Sequence, residues 1–244
     1  MFKRTGPWLP AACLCGAMYL TCHTISQAEV IPLRPSMGTH PSAALTRPQL
    51  PQRVDTARTA LIFENASPAV RTTVHWVKQT EDHQGSAFVV VDKIHARIYV
   101  FSGQGRLLGA DAVLLGWARG DQSVPGIGER PLQQIRPSER TTPAGRFVAA
   151  WGHNLADQEI LWVDYEQGIS LHPVRQANPQ ERRLERLASP SVSDNRISYG
   201  CINVGLGFWQ QVVKPTFKGK QAMVYVLPEE QDVDTVLSQW HQTR

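Results

Sequence analysis

Residues 87–101 read AFVVVDKIHARIYVF. Two runs of β-branched and aromatic residues, Ala87–Val91 and Arg97–Phe101, flank the mostly polar Asp92-Lys93-Ile94-His95, a pattern that predicts a β-hairpin. Gly103-Gln104-Gly105 then marks the next turn. Further strand patterns follow at Arg106–Leu115, Arg146–Trp151, Ile160–Val163, Ile169–Leu171 and Met223–Val226. Short strands punctuated by Gly and Pro predict a mainly β domain, a mixed sandwich or barrel with a few short helices.

Upstream of the hairpin, Ser67-Pro68 has the form of an N-cap followed by proline at the first helical position, and Val70, Val74 and Val77 recur at helical spacing. One amphipathic helix over about 68–79 is expected within a segment 54–85, with Leu61, Ile62 and Phe63 as candidates to dock on the domain. Residues 29–53 are rich in Pro, Ser, Thr and Arg and read as a tether. Residues 1–28 combine a basic start at Lys3 and Arg4, an apolar stretch from about Trp8 to Leu20, and Ser26-Gln27-Ala28. That is the layout of a secretory signal peptide cleaved after Ala28, which places the mature protein in the periplasm or cell envelope. An uncleaved anchor, or lipidation at Cys22, are the other readings of this segment.

Downstream, Gly120–Arg140 carries Pro125, Gly126, Gly128, Pro131 and Pro137, a loop long enough to suggest a functional role. A second excursion runs from Pro173 to Arg196, in which Asn178-Pro179-Gln180-Glu181 has capping-box spacing and predicts a short helix through Arg182–Leu187 that ends near Ser189-Pro190. The segment 228–244 has Val233, Val236, Leu237 and Trp240 at helical spacing. No internal repeat is present.

The formal charge of +4 falls to about +2 once Lys3 and Arg4 leave, which does not argue for nucleic acid. Cleavage also removes Cys13, Cys15 and Cys22 of the four cysteines. Cys201 then stands alone, as an intermolecular partner, a reactive thiol or a small buried hydrophobe. A thiol becomes a nucleophile as thiolate, with help from a base, a positive charge or aligned N–H groups. Gly200 permits a tight turn there and a main-chain oxyanion hole. Of the eight histidines, His83 and His153 sit in polar loop surroundings where a solvated ring is expected. His172 differs, because it ends the Ile169–Leu171 strand and opens the excursion that returns to Cys201; it is the candidate general base. Zinc-type CxxC or HxxxH spacings, a complete dinucleotide fingerprint and a phosphate-binding P-loop are all absent. Asn65-Ala66-Ser67 matches a glycosylation sequon by pattern only.

Three stretches together resemble the catalytic domain of L,D-transpeptidases, the YkuD-type family of bacterial cell-wall enzymes. They are His172 with Ser198-Tyr199-Gly200-Cys201-Ile202-Asn203, the Thr142-Pro143-Ala144-Gly145-Arg146-Phe147 element, and the hairpin, spanning about Ser86–Leu227 and delimiting a domain 86–227. The resemblance implies an L,D-transpeptidase-like fold and a nucleophile, Cys201, that attacks the carbonyl before a terminal D-alanine of a peptidoglycan tetrapeptide stem. His172 would handle protons, and the acyl group would pass to an amine. Ser198, Tyr199, Gly200, Ile202, Asn203, Pro173 and Arg196 become candidates for oxyanion or substrate contacts, with no metal or organic cofactor. A cell-wall-anchored protein as acceptor, hydrolysis by water, and a noncatalytic wall-binding module are the alternatives. Tyr199 stands where the family usually has a second histidine, Pro173 where it has Gly or Ser, and the 29 positions from His172 to Cys201 exceed the usual spacing. Arg136, Arg140, Arg182, Arg183 and Arg196 are candidates to meet stem carboxylates, or are solvated surface charge.

Overall fold

The structure, a computed structural model, describes residues 56–242. The signal segment 1–28 and the tether 29–53 lie outside the described residues. The described residues form one compact unit.

The expected hairpin is β1 (Phe88–Asp92) against β2 (Arg97–Phe101), with Val90 opposite Tyr99. The remaining strands are β3 (Leu107–Gly116), β4 (Gly145–His153), β5 (Glu159–Asp164), β6 (Ile169–Pro173), β7 (Arg196–Ser198), β8 (Ile202–Val204) and β9 (Gln221–Val226). Their order is β2-β1-β9-β4-β5-β6-β8-β3, and β2 pairs again with β3, so eight strands close a barrel while β7 rides on the outer end of β3. The mainly β expectation therefore resolves to a closed barrel. Alternate residues of every barrel strand, among them Val89, Ile98, Val113, Leu161, Leu171 and Val224, point inward to one core.

β1 is an unbroken apolar run because both its faces are covered. Val89 and Val91 face the barrel interior, whereas Phe88 and Val90 meet Val70, Val74 and Val77 of α2 (Pro68–Thr80). α2 starts at the expected cap: Ser67 Oγ accepts the Val70 N–H at 3.3 Å and donates to Asp92 Oδ2 at 2.6 Å. The segment 54–85 holds two helices rather than one. α1 (Thr56–Glu64) precedes α2, and it carries no acidic residue in its first turn and no basic residue in its last to advertise its ends. Of the docking trio, Phe63 stands edge-on to Phe101 with ring centroids 5.7 Å apart and Ile62 packs beside it, whereas Leu61 is exposed.

Other differences have identifiable causes. Asn178 caps only a 3₁₀ turn over Pro179–Glu181, accepting the Gln180 N–H. Arg182 then breaks the chain in the left-handed region (φ 48°) before α3 (Arg183–Ala188). The capping box does not form because the Glu181 carboxylate is taken by Arg183. Residues 206–217, where Gly207 and Pro215 read as breakers, are helical throughout: α4 (Leu206–Phe208), a π-turn over Trp209–Val213 and α5 (Lys214–Phe217). The wide π-turn directly precedes the stretch that carries Pro215, which cannot supply a ladder N–H. Trp209, Val213 and Phe217 from this stretch join the barrel core. The C-terminal pattern forms α6 (Val233–Gln242), whose Trp240 lies against Trp76 and Tyr225. Among the described residues no helix is long and apolar enough to cross a membrane.

His83, for which a solvated ring is expected, and Lys93, from the polar stretch of the hairpin, are both inside. His83 is buried, its Nε2 at 2.8 Å from the Gly103 carbonyl and its ring against Phe88. Lys93, in the hairpin turn, is fully buried; its Nζ donates to Gly120 O (2.6 Å), Asp121 Oδ1 (2.8 Å) and Thr142 O (3.0 Å). Arg196 joins this cluster through Glu229 and the Lys93 carbonyl.

Candidate active site

Strand alternation builds the site. In β6, Ile169 and Leu171 point into the barrel, so Ser170 and His172 point out. In β8, Ile202 and Val204 point in, leaving Asn203 and the preceding Cys201 on the outside. The parallel register pairs Leu171 with Ile202 and His172 with Asn203. One step back on the same ladder Ser170 meets Cys201, with Oγ and Sγ 3.5 Å apart. Ser170, His172, Cys201 and Asn203 thus form one patch on the outer face.

The turn into β8 holds the thiol at its end. Ser198 Oγ donates to the Cys201 carbonyl at 2.6 Å and accepts the Gly200 N–H at 3.1 Å. Ser198 is therefore a brace for the turn, and the Gly200 N–H is already engaged rather than open to an oxyanion. Gly200 has φ +128°, and a Cβ there would lie 2.7 Å from Ile169 Cδ1 and 2.8 Å from the Thr141 carbonyl. Its own carbonyl accepts from Thr142 Oγ1 at 2.8 Å, and that oxygen accepts the Gly116 N–H at 2.8 Å. The Thr142-Pro143 element is in this way tied directly to the turn that presents Cys201. Gly200→Ala is expected to cost about 1–3 kcal/mol in a denaturant titration and to slow alkylation of Cys201 by iodoacetamide, because strain and contact act at one position.

Cys201 is partly exposed, and its sulfur touches Ser170 Oγ and, at 3.6 Å, the Gly168 carbonyl. The His172 ring is satisfied elsewhere: Nδ1 lies 2.9 Å from the Pro173 carbonyl and Nε2 3.0 Å from Asn203 Nδ2. Pro173 keeps its C=O, so proline there still orients the imidazole. Burial pushes the His172 pKa down to about 4 from 6.5; the Pro173 carbonyl opposes this, and Arg175 and Arg183 add to it. A folded-state value below the unfolded one means that this group's contribution to stability is full above about pH 6.5 and is lost as pH falls through about 4.

The other candidates have definite places. Ile202 is wholly inside the barrel, so its side chain is core and not a substrate contact. Arg196 is buried and paired with Glu229 at 2.6 Å, a structural role in place of the expected ligand contact. Tyr199 carries the Arg140 guanidinium 3.8 Å above its ring, while Arg140 Nε and NH2 donate to the Ile135 carbonyl. The Tyr199 phenol is a platform that holds the Gly120–Arg140 loop against the Cys201 turn. Arg136 and Arg182 pair with Glu139 and Glu185.

Arg175 was not among the arginines singled out from sequence. Among the described residues it has no hydrogen-bond or ion-pair partner; burial pushes its pKa down, and Cys201 opposes that. It lines a groove of about 350 Å³ with Pro173, Leu206, Trp209, Gln210 and Lys214. Ser170 was also missed, although the period of two from His172 places it on the same face. Among the described residues no three His, Cys, Asp or Glu side chains converge as metal ligands.

No protein-family model matches the chain, and no curated protein matches it. Among solved structures, it is similar to the helical cell shape determining protein Pgp2 from Campylobacter jejuni at 15% identity and TM-score 0.39, over 67% of this chain and 59% of that one. It is also similar to the C442S mutant of Enterococcus faecium L,D-transpeptidase at 16% identity and TM-score 0.33, over 57% of this chain and 50% of that one. The E. faecium catalytic domain alone gives 15% identity and TM-score 0.31, over 58% and 98%. The chain spans about three-fifths of the length of Pgp2. Likeness at these values does not assign an activity.

Proposed function

We propose that the mature chain is an exported acyltransferase of L,D-transpeptidase type, with peptidoglycan stem peptides as substrate and Cys201 as nucleophile. The observation that carries this reading is the outer-face patch. The one cysteine left after cleavage shares it with a histidine whose Nδ1–H is tied to the Pro173 carbonyl, so the lone pair resides on Nε2, the nitrogen that takes a proton once its contact with Asn203 opens.

In this reading Cys201 attacks the carbonyl preceding a terminal D-alanine, and its proton passes to His172 Nε2. The tetrahedral adduct then collapses, His172 returns the proton to the departing amide nitrogen, and free D-alanine leaves behind a thioester. An amine of a second stem attacks the thioester, gives its proton to His172, and the thiol is regenerated. For the imidazole to reach the sulfur, its bond to Asn203 must open. The Arg175 guanidinium, without a partner among the described residues and lining the groove beside Pro173, suits a stem carboxylate. Arg175→Ala is expected to raise KM for the tetrapeptide about 10–100-fold with a smaller change in kcat, the loss of one charged hydrogen-bonding partner.

Intact-mass spectrometry after exposure to a carbapenem tests the reading directly. One covalent adduct per chain at Cys201 is expected, and an unmodified mass at saturating reagent would sink it. With tetrapeptide muropeptides, cross-linked dimers denote an amine acceptor, and tripeptide alone denotes water.

A further inference from the structure

Arg183 belongs to the 173–196 excursion, yet it reaches the centre of the patch. Its NH1 donates to Asn203 Oδ1 at 2.8 Å, and Asn203 Nδ2 faces His172 Nε2 at 3.0 Å. Asn203 is completely buried, so its amide has no water to turn to. Arg183 is itself held: its Nε donates to Glu181, whose carbonyl accepts from Arg186 Nε at 2.9 Å.

The donor inventory along this chain leaves one arrangement. A guanidinium only donates, so the face of Asn203 toward Arg183 must be the oxygen. The other face is then the NH₂ group, and His172 Nε2 must accept from it. The remaining ring proton sits on Nδ1, which matches the contact with the Pro173 carbonyl. A proton on Nε2 would set N–H against N–H in a buried site, where an unmade hydrogen bond costs about 1–3 kcal/mol.

We propose that Arg183 is a positioning residue for His172: by fixing the amide of Asn203 it holds the imidazole neutral, with its proton on Nδ1 and its lone pair on Nε2. The resting site is then a neutral base beside a thiol held by Ser170, and the bond that must open before His172 reaches Cys201 is set from α3. The charged groups acting on His172 are Arg175 from the segment after β6 and Arg183 from α3, with Glu181 behind Arg183, while Cys201 lies one ladder step away beside Ser170. Both arginines oppose protonation of the ring, and Asn203 adds a directional veto. The proposal rests on the acyltransferase reading only in treating His172 and Cys201 as one site.

Nitrogen-15 NMR of the His172 ring in residues 29–244 reads tautomer and protonation without any substrate. The unsubstituted protein should show the Nδ1–H form and remain neutral at pH 5. Arg183→Ala should raise the imidazolium-to-imidazole ratio at pH 5 by about tenfold, the effect of one unit in pKa. Arg183→Lys, which still donates to Oδ1 and keeps the charge, should restore the original tautomer. Asn203→Asp turns the group facing Nε2 into an acceptor and should place a proton there at neutral pH, giving a second readout where Arg183→Ala fails to fold. An Nε2–H tautomer in the unsubstituted protein, or a titration unmoved by Asn203→Asp, overturns the proposal. Absence of a carbapenem adduct with these NMR results intact would instead remove the acyltransferase reading and leave the relay standing.

Discussion

With Cys201 as the nucleophile of the proposed acyltransferase, Cys201→Ala is expected to lower release of D-alanine from tetrapeptide stems by roughly 10⁴–10⁶-fold, the scale of losing a covalent nucleophile. The fold should survive. Among the described residues the sulfur's hydrogen-bond partners are Ser170 Oγ and the Gly168 carbonyl, at 3.5 and 3.6 Å, and the turn is braced by Ser198, Thr142 and backbone groups rather than by the thiol. A melting temperature within a few degrees of the parent, measured alongside turnover by mass spectrometry, separates lost chemistry from lost structure. His172→Ala should cost a comparable factor, and the double substitution should be hardly worse than either single one, because a nucleophile and its base act as a unit. Full turnover by Cys201→Ala would remove this residue from the role assigned to it. Cys201→Ser keeps the volume but lacks the acidity and nucleophilicity of a thiol, and should lie near the alanine variant.

The largest effect on stability should come from Lys93→Met. Lys93 is fully buried among Asp121, Glu229 and two carbonyls. Burial pushes the Asp121 pKa up, but the Lys93 bond and the backbone N–H groups of Glu229 and Glu230 outweigh it and hold the carboxyl below its ordinary value. Methionine fills much of the lysine stem's volume but leaves Asp121 charged and short of its cation, a loss of about 3–5 kcal/mol. For a domain of this size that is a fall in Tm of roughly 6–20 °C. Adding Asp121→Asn should recover part of it, since the orphaned charge is the larger cost. A depressed carboxyl value also means that the stability Asp121 contributes is present above about pH 4 and is lost as pH falls through its folded-state value. A melt showing Lys93→Met within about 1 kcal/mol of the parent would show that the cluster contributes little.

The strands that could be read from sequence are those long enough for a pattern to repeat. Ala87–Phe101 shows two apolar runs and a turn, and Met223–Val226 a fully buried run, so both were legible. β7 and β8 have three residues each, too few for any period, and they exist because the barrel gives their backbone partners on β3 and β6. Residues 206–217 were hidden for the opposite reason: Gly207 and Pro215 look like breakers until tertiary packing of Trp209, Val213 and Phe217 overrides local propensity. In the site, Cys201 and His172 could be singled out by residue type. Their partners could not, because Lys93 meets Asp121 across 28 positions and Arg183 meets Asn203 across 20, contacts that no local pattern encodes. The arginines illustrate the same limit. Arg196 has a carboxylate waiting at Glu229, 33 positions on, whereas Arg175 has no partner among the described residues.

β9 is the last strand along the chain, yet it lies between β1 and β4, with Phe88 beside Met223 and Gly145 beside Val226. In folding, the first strand therefore waits for residues 221–226 before the ring can close. Pairings this distant in the chain belong to folds that form in milliseconds to seconds rather than microseconds. A stop before Gln221 would not trim an edge; it would leave an open seam, with the interior of β1 and β4 facing water. The patch that holds Cys201 lies on β6 and β8 of the same ring, so a site far from the seam still stands on a frame that the chain's last strand completes.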